Sequence, residues 1–230
     1  MPSRAQRARF FARWGGSRLP QVQNRLVKKG DAPAVWSVAT IIMDQNSFAL
    51  TYYDEVRRSF RGYKRLADGG MAQLSDEEFF RAPDTESNSA AVIVKHVAGN
   101  LRSRWKDFLT TDGEKPDRNR DQEFVLAPED TRADLMRRWE ENFQMLFDTI
   151  DSLTPADFSR TVTIRGEPHT ILQAMNRSLM HTAYHVGQIL YVGKHLRGGQ
   201  WTSLSIPRGK SEEFNKMKPE DRKVKAPNRP

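Results

Sequence analysis

The chain has no cysteine. That excludes disulfides, zinc–thiolate sites and a cysteine nucleophile, and leaves histidine and carboxylate as the metal-ligating side chains. A reducing, cytoplasmic setting is the compartment that this composition fits. Long apolar runs are missing too. Nothing approaches the roughly 18 uninterrupted apolar residues of a membrane-spanning helix, so no membrane partner is expected. Apolar residues make up 37% of the chain and the mean hydropathy is −0.72, so a core can form only where they are concentrated.

Acidic residues are scarce at one end. Residues 1–42 hold eight basic side chains against Asp31 alone, a net +7. Residues 208–230 hold eight basic and four acidic ones, a net +4, so of the overall +8 the stretch 43–207 carries −3. The high isoelectric point therefore belongs to the ends. Nucleic-acid binding needs positive charge gathered on the folded domain with aromatic or helical readers beside it, and is not expected. Three segments follow. Residues 1–42 read as a disordered arm, a mis-assigned start or an Arg-rich targeting arm; 43–215 as the folded domain; and 216–230 as a disordered basic tail.

Within the domain, apolar residues recur at helical spacing in four long stretches. Phe48, Tyr52, Val56, Phe60, Tyr63, Leu66 and Met71 mark the first, over about residues 47–74. Ser75 with Glu78 forms a capping box for a short turn that Pro83 stops. Asn88 or Ser89 caps the second helix, whose apolar stripe runs from Val92 to Leu109, and Gly99 inside it suggests the close approach of another backbone. A polar connection over 110–130 is of the length at which loops tend to be functional or mobile. Thr131 and Asp134 open the third helix, through Leu135 to Ile150. Thr161–Ile164 alternates, and the turn after it predicts a hairpin whose return strand Pro168 limits to an edge. The fourth helix is expected over 170–196. The simplest packing is an all-α, up-down four-helix bundle with a small β-hairpin before the fourth helix.

His181 and His185 are four residues apart, so on a helix both imidazoles project from one face, together with Ala174, Ser178, Gln188 and Val192. They can reach one ion. His96, in the second helical stretch, is the obvious third donor, and three neutral imidazoles leave coordination positions open, as in a catalytic site. The spacing alone also arises by chance, and a core histidine more often just satisfies a neighbour's hydrogen bond. The remaining histidines stand apart. His195 lies about 15 Å beyond His185 at ~1.5 Å per residue and suits the charge of a helix C-terminus, while His169 precedes the helix as a turn or cap residue.

Lys95-His96-Val97-Ala98-Gly99-Asn100 and His181-Thr182-Ala183-Tyr184-His185-Val186-Gly187-Gln188 resemble the DinB-like superfamily, which also contains YfiT-like proteins and bacillithiol and mycothiol S-transferases. The segments 103–116, 164–170 and 201–210 look like a branch of it described as a domain of unknown function. The resemblance covers about residues 44–215. It implies a divalent ion held by His96, His181 and His185, and an enzyme of the thiol (S-)transferase or hydrolase kind acting on a small molecule. It supplies no particular reaction.

Zinc is the default ion for imidazole ligands, nickel or copper would bind the same donors, and a low-molecular-weight thiol is the candidate co-substrate. Asn100 and Gln188 are placed to orient a histidine or the substrate from behind the ligands. No general base stands out: Glu140 and Glu141 are candidates, equally explained as exposed acids of a helix face. Lys95, Arg102, Arg104 and Arg177 either attract an acidic thiol or are solvated charges. Trp201 reads as a lid or interface residue. A homodimer is expected. The competing reading is a non-catalytic, metal-binding, stress-associated protein in which the ion stabilises the helices.

Overall fold

A computed structural model describes residues 45–218 and 221, so the expectations for the N-terminal extension and for most of the basic tail lie outside the described residues. Six α-helices and one antiparallel pair of strands are present among them: α1 Gln45–Met71, α2 Asp76–Phe80, α3 Ala90–Trp105, α4 Arg132–Ser152, β1 Thr161–Ile164, β2 Glu167–Thr170, α5 Ile171–Arg197 and α6 Ser211–Lys216. Helix starts follow capping chemistry. The Ser89 hydroxyl accepts the Val92 N–H at 3.3 Å, Thr131 accepts that of Asp134 at 3.2 Å, and Thr170 forms a reciprocal box with Gln173.

The four long helices share one core. α1 lies along α5, and α3 packs on both α4 and α5. Phe60, Leu101, Trp105, Trp139, Phe143 and Met175 are fully buried between them. Each such side chain contributes roughly 1.5–3 kcal/mol through removal from water, which makes the apolar stripes the main source of stability.

The second long helix ends earlier than its apolar stripe, which predicts helix as far as Leu109. α3 stops at Trp105, and Asp107 takes a positive φ of 50°. Long-range bonds explain the stop. The Ser103 hydroxyl donates to the Gly113 carbonyl at 2.8 Å and accepts the Lys115 N–H at 3.1 Å, and Arg104 also reaches the Gly113 carbonyl. The returning loop thus takes over the end of the helix, while Phe108 still stacks on Trp105 at 4.8 Å.

The hairpin forms as expected, with Thr161 opposite Thr170 and Ile164 opposite Glu167. Its turn is fastened to the loop by Asp112, whose carboxylate accepts the N–H groups of Arg165 and Gly166, both at 2.8 Å. Trp201 packs inward against the helices. Its ring lies against Gly193 of α5, where an added Cβ would sit 3.1 Å from it, and the Gln73 side chain brackets Thr202 by accepting its N–H at 2.8 Å and donating to its carbonyl at 3.1 Å. No helix among the described residues is long and apolar enough to cross a membrane.

Candidate metal centre

α5 carries His181 and His185 one turn apart, and α3 lays His96 against both. The ring centroids are 5.1 Å apart for His96 and His181, 4.7 Å for His96 and His185, and 4.6 Å for the α5 pair. One nitrogen of each ring lies within 4.8 Å of the others, and Nε2 of His96 is 3.2 Å from Nε2 of His181. Ligands of a tetrahedral ion with ~2.1 Å bonds are roughly 3.4 Å apart, so the three histidines are close enough to hold one metal ion.

The protons on the far sides of the rings decide which nitrogens are free. His96 Nδ1–H donates to the Glu123 carboxylate at 2.8 Å, and His185 Nδ1–H donates to the Gln188 side-chain oxygen at 2.7 Å. In their neutral form both rings therefore keep a bare Nε2 lone pair on the side where they meet. The Nε2 atom of His185 is buried with no hydrogen-bond partner. A buried acceptor without a donor costs about 1–3 kcal/mol, and an ion at the meeting point of the three rings would satisfy it. The donor set fits a divalent ion.

Burial and the neighbouring rings keep the α5 pair neutral. Desolvation, followed by the charges of His185 and His96, lowers the His181 pKa to about 3. Desolvation and then His96 lower that of His185 to about 4. Neutral imidazole is the form that binds metal, so protons compete little at pH 7.

Behind His96 lies a cluster that no sequence pattern disclosed. The segment between α3 and α4 folds into a 3₁₀ turn, Asp121–Phe124, and brings Glu123 to His96 and Phe124 to its ring face, 4.6 Å away. Arg118 clamps the same carboxylate with both arms, Nε to Oε1 at 2.8 Å and Nη2 to Oε2 at 2.9 Å, with 3% of its side chain exposed. Burial raises the Glu123 pKa, but the bonds from His96 and Arg118 outweigh it, and the carboxyl sits below its ordinary range. Gly99 marks the way in. A Cβ there would collide with Glu123 Oε1 and come within 2.8 Å of its Cδ, so the close approach is by this carboxylate and not by another backbone.

His181 faces the other way. It lines a cavity of about 860 Å³ whose walls include Asn100, Ile164, Arg177, Met180 and Tyr184. Its hydrogen-bond contact among the described residues is Nε2 of His96.

A family model described as "Protein of unknown function (DUF1572)" matches residues 47–210. The chain belongs to that family. The DUF1572 match takes in all three histidines, Glu123, Arg118 and the cavity residues, and its description names no activity. No curated protein and no solved structure matches the chain.

The other expected residues scatter. Within this DUF1572 domain, Gln188 bonds His185, whereas Asn100 lines the cavity wall. Glu140 pairs with Lys64 at 2.7 Å and Glu141 with Arg137 at 2.9 Å, both on exposed surface, so neither is a base at the histidines. Among the described residues the set of ligand atoms that face one another is three imidazoles without a carboxylate, Glu123 standing behind His96. Lys95 and Arg102 are held by Asp130 and Asp117, and Arg104 by Glu114, which leaves Arg177 as the cavity cation without an ion pair among the described residues. His195 stacks on Tyr191 at the end of α5, and His169 sits in β2, bonded to the carbonyl of Glu167.

Proposed function

We propose that the protein is a divalent-metal-dependent enzyme of small-molecule chemistry, with His96, His181 and His185 as the ligands and thiol (S-)transfer ahead of hydrolysis as the reaction. The observation that carries this is the orphaned Nε2 of His185, buried beside two other imidazoles, one of which borders a cavity. A divalent ion there would supply a Lewis-acid charge that favours the thiolate of a bound thiol or the deprotonated form of water. His96 and His185 would hold their Nε2 lone pairs inward through Glu123 and Gln188. The cavity would bind substrate on the His181 side, with Arg177 as its cation and Met180 and Tyr184 as part of its wall. Thiol transfer is favoured because a thiol brings its own ionisable nucleophile, whereas the Glu123 carboxylate beside the histidines is taken up by His96 Nδ1 and Arg118.

Zinc is the ion proposed, with nickel able to use the same donors. We also read the four long helices as an up-down bundle of the DinB-like kind. Met180, Tyr184 and Tyr191, exposed on one face of α5, support a homodimer. The deciding experiment is elemental analysis of the purified protein and of His96→Ala, His181→Ala and His185→Ala, followed by a thiol-conjugation assay. One ion per chain is expected in the parent and less than about a tenth of that in each variant, with circular dichroism unchanged. A parent protein that holds no metal after dialysis against zinc defeats the proposal.

A further inference from the structure

We propose that Glu123, framed by Gly99 and Arg118, is the positioning residue that fixes His96 with its proton on Nδ1 and its bare Nε2 toward the other two imidazoles, and so sets the affinity for the ion. The inference deepens the three-histidine reading and rests on it. Three parts of the chain converge to make the contact: His96 and Gly99 on α3, Arg118 in the loop, and Glu123 on the 3₁₀ turn.

Donor and acceptor accounting leaves one tautomer for a neutral His96. Glu123 Oε1 accepts from Arg118 Nε, and Oε2 accepts from both Arg118 Nη2 and His96 Nδ1. A carboxylate has no proton to give, so Nδ1 of His96 must carry one, and in the neutral ring, the form that binds metal, Nε2 is then the lone pair. Arg118 fixes the orientation of the carboxylate, because a two-armed guanidinium contact specifies its plane as well as its place. Gly99 makes room. Glycine inside a helix is less favourable than alanine, and the position it weakens is the one where a methyl group would displace the acid. Phe124, carried by the same turn, covers the face of the His96 ring. Outer carboxylate partners of ligating histidines fix the ring's tautomer and raise its basicity, and losing one weakens metal binding roughly 10–100-fold.

The test compares Glu123→Gln, Gly99→Ala and the double variant by zinc competition against a chromophoric chelator, with thermal unfolding of the metal-free forms alongside. In Glu123→Gln the amide NH₂ must face one of the two donors. The relief open to it is a shift of the His96 proton to Nε2, where the ion would need the lone pair. Each single variant is expected to weaken zinc binding roughly 10–100-fold, and the double variant no more than the weaker single, since both act through one contact. Zinc affinity unchanged within about twofold while the metal-free melting temperature falls would make Glu123 merely structural and overturn the proposal. Additive losses would overturn it as well.

A second readout does not need the ion. Imidazole ¹⁵N shifts of metal-free parent protein should show His96 in the Nδ1–H form, with Nε2–H gaining in Glu123→Gln; a mixed population in the parent overturns the assignment. Should the parent bind no zinc at all, the metal reading fails, and the tautomer populations still decide whether Glu123 governs the His96 proton.

Discussion

The two sides of the histidine cluster are built on opposite principles. Behind His96 every polar group is answered: Glu123 by His96 and Arg118, Arg118 by Glu123 and Glu114, with Phe124 laid over the ring. On the His181 side the wall is a cavity of about 860 Å³ with apolar and aromatic side chains and an Arg177 that has no ion pair among the described residues. The first side can resist displacement and the second can admit a molecule. A site that must hold an ion while exchanging a ligand needs this division, since precision comes from locked partners and access from unfilled space.

The largest effect should come from breaking the closed side. Arg118→Met leaves Glu123 buried beside His96 without its clamp, and losing one partner of a buried pair costs about 3 kcal/mol or more. Urea unfolding should show that loss, whereas Arg102→Met, which cuts the exposed pair with Asp117, should move stability by less than about 1 kcal/mol. Equal effects would erase the contrast between buried and solvated ion pairs.

The next effect is pH dependence. His185 has its folded pKa lowered to about 4, while in the unfolded chain it takes up a proton near 6.5. Stability is therefore full above about pH 6.5 and declines as pH falls toward 4, because only the unfolded state gains the proton. With a chelator present, unfolding free energy should drop by about 2 kcal/mol between pH 6.5 and 5 on account of this one group, and His185→Leu should flatten the decline. An unaltered slope in that variant would mean that the acid response arises elsewhere.

The smallest effect is expected at the seam with the open side. Trp105 donates its indole N–H to the Ser178 hydroxyl at 3.1 Å, beneath the cavity wall. Ser178→Ala strands that donor and should lower stability by about 1 kcal/mol with zinc affinity unchanged. A loss of zinc binding would show that the cavity floor and the closed side are mechanically one unit.

The parts legible in the sequence were those with a period. His181 and His185 declared a shared helical face through their spacing, and Ser89, Thr131 and the alternation of Thr161–Ile164 marked element starts. What stayed hidden was tertiary. Glu123 lies 27 residues from His96 in a short 3₁₀ turn with no periodic signal of its own, and Arg118 lies in a polar stretch that looks like any other loop. One trace was present: Gly99, a glycine in mid-helix, pointed to a close approach, although the visitor is a carboxylate and not a second backbone. The early end of α3 was hidden for the same reason, since the side chains of Ser103 and Arg104 in its last turn bond the distant Gly113 carbonyl, and the chain leaves the helix just beyond them.

Trp201 gives the segment after α5 a mechanical office. Its indole is wedged at Gly193, and the Gln73 amide grips Thr202 from the end of α1, so the chain closes over the two helices like a clasp. The clasp thus joins the end of α1 to the last turns of α5, the helix that bears two of the three imidazoles. A protein clipped at Gln200 would forfeit wedge and grip together, leaving the glycine faces of α1 and α5 uncovered.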